Sequence, residues 1–197
     1  ISSDLKKILD DRGYQKVSFI PNIVEVPIVN ALQPRLKKKI AVVGRISYQK
    51  NLDLIYYLML NLKYVQWEVF GSASDSFGDR FTNRIEQLEN VDYFGHQVNP
   101  FQKTDAKYLM FPSLWDEAAL TPIEARKSGL IVLYSNACHG ANDFFDNNEY
   151  ELSLHDSYHE TLDKIEKLFK LDPPQNYTDI YTTDNHLSQM RLLIEKE

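Results

Sequence analysis

Four side chains in this sequence have the types and spacing to hold a charged, hydroxyl-rich ligand: Arg45, Lys50, Asp116 and Glu124. Asp116 and Glu124 have seven residues between them in the stretch FPSLWDEAALTPIEARKSG, which covers 111–129. One falls on a loop and the other in the first turn of a helix, because Pro122 suits a first helical turn, where its missing N–H is not needed. Backbone N–H groups at a helix start have no intrahelical partner and can hold an anion, so the layout suits an anionic ligand that also carries hydroxyl groups. Arg45 and Lys50 lie in GRISYQK with four residues between them, and would bring a planar guanidinium fork and a point charge to a phosphate. Each residue also has a plainer reading. Asp116 suits a loop or capping acid, Glu124 an ordinary first-turn acid favoured by the helix dipole, and Arg45 and Lys50 a pair of solvated loop cations.

The surrounding pattern supplies elements to position them. Residues 40–43 read as a continuous apolar strand closed by Gly44, with Asn51 placed to cap a helix over 52–62. Further strands are expected at 66–70, 90–95, 108–111 and 130–134, with a short edge strand at 150–154. Helical spacing puts Phe81, Ile85 and Leu88 on one face over 77–88, and Leu162, Ile165, Leu168 and Phe169 on one face over 158–171. A short helix over 101–105 and a last one over 187–195, opened by Asp184, Asn185 and His186, complete the set. Gly129 suits the left-handed closing position of the helix before the 130–134 strand. This alternation predicts an α/β fold with a doubly wound parallel sheet. Right-handed crossovers then bring every strand C-terminus, and with them both charged motifs, to one edge. The first residues fit a different unit: a serine-initiated helix to Asp11, Gly13, a strand over 16–20 and a Pro21-Asn22 pair.

Taken together, the two motifs resemble retaining family 4 glycosyltransferases (glycosyl transferases group 1) of the GT-B fold. The carboxylate pair resembles their E-x7-E signature running into Thr-Pro-x-Glu-Ala, and the Gly44-Arg45 pair with Lys50 five positions beyond the arginine resembles their diphosphate-binding cations. Three positions depart from that pattern: Asp116 stands for the usual glutamate, Ala119 for glycine, and Ile23 for the glycine after Pro-Asn.

The resemblance implies a Rossmann-like, donor-binding C-terminal half of a GT-B enzyme, with specific roles for its residues. Asp116 would hold hydroxyls of the donor sugar, and Glu124 the nucleotide ribose. Arg45 and Lys50 would face the diphosphate, as the catalytic residues together with Asp116. Gly44 and Ala119 would border the phosphates, Leu120 and Thr121 would offer backbone N–H groups, and His96, Gln97 and Val98 would line the base pocket. A methyl group at Ala119 is expected to crowd the phosphate approach that glycine allows.

It further implies residues 1–22 as the end of an N-terminal acceptor domain, 23–37 as a linker, 38–171 as the nucleotide-sugar domain and 172–197 as a helical tail. The expected activity is retaining hexosyl transfer from a nucleotide diphosphate sugar, without metal or other cofactor, to a glycan or glycolipid bound by the absent N-terminal half. The isolated chain is then expected to be inactive. The whole protein is expected to be cytoplasmic, at most peripheral at the inner face of the membrane. A catalytically degenerate GT-B domain serving as a binding or scaffolding module is the alternative.

Composition narrows the field. A chain of 197 residues with 43% hydrophobic content can build one core, and 22 basic against 28 acidic residues argue against a duplex nucleic acid partner. The one dense basic run, Lys37 to Lys39, reads as a solvated strand entrance. A single cysteine, Cys138, excludes an internal disulfide. The neighbouring His139 shows no metal-ligand spacing with the remaining histidines. Instead the segment, with Gly140 and Asp143, resembles the family's glycine-containing turn after the fifth strand. A receiver or flavin-binding module is disfavoured because cations stand after the first strand where a receiver needs acids.

Overall fold

A computed structural model describes residues 2–15, 17–26, 35–117, 119–145, 150–171, 175–176 and 178–194. Six parallel strands form one sheet: β1 (Leu36–Val43), β2 (Gln66–Phe70), β3 (Val91–Gly95), β4 (Ala106–Phe111), β5 (Ile131–Ser135) and β6 (Glu151–Leu152). Their order in space is β3-β2-β1-β4-β5-β6, so the chain reverses its direction of travel between β1 and β4. The connections that follow those two strands leave the sheet edge in opposite directions of travel, and such a reversal is where open α/β sheets bind ligands.

Helices α1 (Ser3–Asp11), α2 (Leu52–Asn61), α3 (Ser76–Ile85), α4 (Pro100–Lys103), α5 (Leu120–Lys127), α6 (His139–Asn142), α7 (Tyr158–Leu171) and α8 (Thr183–Ile194) connect and flank the strands. With helices on both faces, the central strands read as unbroken apolar runs, not alternations. Ile40 is fully buried between Trp67 of β2 and Tyr108 of β4, its register partners, which are buried as well.

The expected elements at 66–70 and 158–171 are found with those bounds, while others shift for identifiable reasons. β1 starts at Leu36 because the lysine run continues the strand. Lys39 is ion-paired there, with Nζ 3.3 Å from Glu68 and 2.6 Å from Asp105. Burial opposes its charge, but the two carboxylates outweigh burial and raise its pKa above the ordinary lysine value, so the run is not merely a solvated entrance. Asn51 does not cap α2 with its side chain. It takes a left-handed conformation (φ 55°) after a 3-10 turn at Tyr48–Lys50, which asparagine tolerates better than most residues. Val17 to Ile20 join no strand ladder among the described residues, and Lys16 lies outside them. α8 begins at Thr183, so Asp184 to His186 sit within its first turn.

Two chain crossings meet under α5. Lys127 Nζ donates to the Val24 carbonyl (2.7 Å) and the Tyr181 carbonyl (3.1 Å) and pairs with Asp179 (2.9 Å), while Val24 N–H donates to Tyr181 as well (3.1 Å). Close by, Phe144 is fully buried against Phe145 and Tyr181, with centroids 5.1 and 5.9 Å away. Phe144→Ala removes a ring that nothing can replace, and is expected to cost about 3–5 kcal/mol of unfolding free energy. A urea midpoint unchanged from the parent protein would contradict this packing.

At the other end, Ser2 caps α1 by accepting from Leu5 N–H (3.1 Å) and donates to Glu117 (3.1 Å). Asp143 accepts from Ser3 N–H (2.8 Å), and the His139 ring meets Asp4 at 2.9 Å. α1 is thereby docked on α6 and on the loop that carries Asp116.

Candidate functional site

The floor of the crevice is made of backbone. A glycine directly follows β1 and β2 and closes β3, and Gly44, Gly71 and Gly95 all have positive φ (132°, 150° and 64°). Gly44 N–H donates to Phe70 (3.0 Å) and Gly71 N–H to Gly95 (2.8 Å), which ties the three strand ends side by side. A Cβ on Gly71 would lie 1.8 Å from the Gly44 carbonyl oxygen, so only glycine permits this approach. Above the floor lies a cleft of about 400 Å³, lined among others by Gly44, Arg45, Ser72, His96, Gln97 and Glu124.

Glu124 enters the cleft from α5. Burial pushes its carboxyl pKa above the usual glutamate value, since removing water penalises the charged form. Arg45 enters from the loop after β1, exposed and without a hydrogen bond or ion pair among the described residues. His96 is exposed at the cleft edge. Gln97 spends its side chain locally, donating to the Phe94 carbonyl at 2.9 Å and accepting from Lys103. Val98 is 70% exposed and does not line this cleft.

Lys50 and Asp116 stand together beside the cleft. Lys50 Nζ is 3.2 Å from Asp116 Oδ2 and 3.3 Å from Ser113 Oγ, and lies 4.1 Å from the centre of the Phe111 ring. Its stem runs toward the floor: a Cβ on Gly44 would be 3.8 Å from Lys50 Cε. Hydrogen bonds among the loops after β1, β4 and β5 fix the pair. Leu114 N–H donates to Gln49 (2.8 Å), Gln49 Nε2 to Trp115 (2.7 Å) and Asp116 N–H to Ala137 (3.1 Å).

Ala119 is buried at the N-cap of α5 with φ −60° and no side-chain cap. Its φ is negative, so position 119 does not require glycine for a left-handed conformation. Without a capping side chain, the first-turn N–H groups of Leu120 and Thr121 remain available to a ligand.

Sequence reasoning missed Ser113 and the Phe111 face, which hold Lys50 in place, and Gly71, whose contact with Gly44 builds the floor. A signal for Gly71 existed: a glycine closes or directly follows each of three successive strands. Cys138 is buried, which pushes its thiol pKa up to about 11 and leaves it unreactive at neutral pH. Among the described residues, no group of three or more His, Cys, Asp or Glu side chains is placed to hold a metal ion. A peptide floor, free helix N–H groups, two cations and two carboxylates can together bind a diphosphate and the hydroxyls on either side of it.

Comparison with known proteins agrees with this fold. The family model described as "Glycosyl transferases group 1" matches residues 30–184. No curated protein sequence matches. Among solved structures, the apo form of the lipopolysaccharide outer core galactosyltransferase WaaB superposes with a TM-score of 0.74 at 17% identity, over 99% of this chain and 60% of that one. TarM of S. aureus, solved with fondaparinux, alpha-GlcNAc-glycerol and UDP, gives 0.70 at 22% identity, over 100% of this chain and 40% of that one. The pneumococcal O-GlcNAc transferase GtfA, solved with UDP and GlcNAc, gives 0.65 at 16%, over 100% and 43%. At such identities the likeness is one of fold, and the chain spans 40% to 60% of the length of these three proteins.

Proposed function

The chain belongs to the glycosyl transferases group 1 family and has its Rossmann-like GT-B fold, and from that premise we propose that it is the donor-binding part of a retaining hexosyltransferase. The donor is a nucleoside diphosphate sugar. The acceptor is a glycan or glycolipid, held mainly by an N-terminal domain that residues 1–22 would close and residues 23–37 would link to this one. The observation that carries the reading is the convergence of Gly44, Arg45 and Glu124 on one glycine-floored cleft at the β1/β4 reversal, with the Lys50–Asp116 pair beside it.

In this reading Glu124 accepts hydrogen bonds from the ribose hydroxyls, and the base lies toward His96 and Gln97. The phosphates rest on the Gly44 floor and on the N–H groups of Leu120 and Thr121. Arg45 and Lys50 neutralise the charge that develops on the leaving diphosphate, a task that metal ions perform elsewhere, and Asp116 orients the sugar. No helix among the described residues is long and apolar enough to cross a membrane.

Titration calorimetry with UDP, GDP and ADP tests the site directly. Binding of one of the three is expected, and binding of none by the folded chain would remove the donor-site assignment.

Acidity provides a second test. A carboxyl whose folded pKa is raised is unfavourable in its ionised form, so Glu124 disfavours the fold at neutral pH, an effect relieved as pH falls through the raised value. Nucleotide binding needs the ionised form as acceptor. Affinity is therefore expected to fall on acidification already above the ordinary glutamate pKa of 4.5, and Glu124→Gln is expected to flatten that dependence. A parent pH profile equal to that of Glu124→Gln would exclude the role.

A further inference from the structure

A second groove of about 260 Å³ lies on the α3 side of the same sheet edge, lined by residues that include Tyr48, Asp53, Phe77, Arg80, Arg84 and Tyr158. It shares no lining residue with the glycine-floored cleft. Tyr48 is 49% exposed, Phe77 43% and Trp115 51%, yet the three rings form a continuous strip, with centroids 4.9 Å apart for Tyr48 and Phe77 and 6.0 Å apart for Tyr48 and Trp115. Trp115 directly precedes Asp116, so the strip starts at the Lys50–Asp116 pair and runs outward over α3.

The strip is held in place before any ligand arrives. Tyr48 N–H donates to Asp75 Oδ2 (2.9 Å), the residue that also caps α3 by accepting from Gly78 N–H (2.8 Å). The Gln49 bonds to Leu114 and Trp115 fix the other side. Gly78 lets α3 approach so closely that a Cβ there would sit 2.2 Å from the Ile46 carbonyl oxygen. Arginines edge the rings, with the Arg80 guanidinium 4.5 Å from the Phe77 centroid and that of Arg84 3.7 Å from the Tyr56 centroid. Exposed aromatic strips of this kind mark binding surfaces.

The mixture of groups selects the ligand. Electron-rich ring faces attract weakly positive C–H groups, while Asp53, the arginines and the Tyr158 hydroxyl offer acceptors and donors around them. An all-apolar partner would leave those charges unpaired, and a purely anionic one would leave the ring faces without C–H partners. A pyranose has C–H faces and hydroxyl edges and satisfies both.

We propose that this groove is a saccharide subsite, which receives sugar units of the acceptor glycan next to the bond being formed. The inference rests on the donor-site reading for its orientation, but its binding test does not. The protein has two tryptophans, of which Trp67 is fully buried, so a sugar stacking on the strip is reported by Trp115 emission.

The experiment screens the chain on an array of structurally defined oligosaccharides, then titrates the hits by tryptophan fluorescence against the parent, Phe77→Ala and Arg84→Ala. UDP, GDP and ADP are titrated in parallel. Each substitution is expected to weaken oligosaccharide binding about tenfold and to leave diphosphate binding unchanged, which also shows that the variants are folded. Three results would overturn the proposal: no array glycan bound, affinities unchanged by both substitutions, or concentration-dependent dimerisation abolished by Phe77→Ala, which would make the strip a contact between copies. Oligosaccharide binding without diphosphate binding would remove the donor reading and leave this subsite standing.

Discussion

Lys50→Ala is expected to abolish diphosphate binding by this chain and to lower turnover of the complete transferase by a factor on the order of 10²–10³. The expectation comes from how tightly the ammonium is placed. Its side chain is mostly buried, between the Asp116 carboxylate at 3.2 Å, the Ser113 hydroxyl at 3.3 Å and the Phe111 ring. A cation fixed in this way loses little freedom when charge develops beside it, which is why preorganised groups contribute so much more than mobile ones. Alanine would also leave Asp116 without its counter-charge at a half-buried position, adding repulsion to a bound diphosphate. Arg45, exposed and unpaired among the described residues, must be immobilised on binding, so Arg45→Ala is expected to cost less. Calorimetry with the preferred nucleotide ranks the two variants, and equal losses would mean that the Lys50 cradle adds nothing.

Gly71→Ala is expected to produce a large loss of stability, at least about 3 kcal/mol. Two effects combine: φ of 150° is a conformation L-residues rarely adopt, and the new methyl would overlap the Gly44 carbonyl oxygen at 1.8 Å. The obstacle is backbone at the end of β1, so no rotamer change relieves it. Gly95→Ala supplies the control. Its φ is 64°, but nothing lies within 4 Å of the new methyl, so only the conformational cost of about 1 kcal/mol remains. Urea unfolding of the two variants separates overlap from strain, and comparable midpoints would refute the close approach of β1 and β2. Domains are stable by only about 5–15 kcal/mol, so Gly71→Ala is also expected to lower the yield of folded protein.

Much of this was legible in the sequence because buried parallel strands and amphipathic helices carry strong patterns. QWEVF at 66–70 and the helix at 158–171 have the bounds that their periodicity indicates. Local preference failed where neighbours decide the outcome. The apolar residues from Val17 onward suit a strand, yet a strand exists only beside a partner, and they have none among the described residues. Asn51 is a favourable cap residue, but the preceding 3-10 turn delivers it in a left-handed conformation. The charged residues could be named from types and spacing, whereas their grouping could not. Lys50 and Asp116 are 66 positions apart in the chain and meet because β4 lies next to β1, a strand order that no periodicity records. The positions flagged as departures read differently in three dimensions as well. Ala119 has a negative φ that does not call for glycine, and Asp116, shorter than the family's glutamate, reaches Lys50 directly.

The bonds of Lys127 have a mechanical consequence. One ammonium joins the Val24 crossing, the Tyr181 crossing and the last turn of α5, the helix whose other end carries Leu120 and Thr121. A tug on either crossing therefore reaches α5 through this ammonium and passes along a rod about two turns long. A swing of those segments against the sheet pulls on the last turn of α5 through those bonds. The lever arm that senses such motion ends at the cleft.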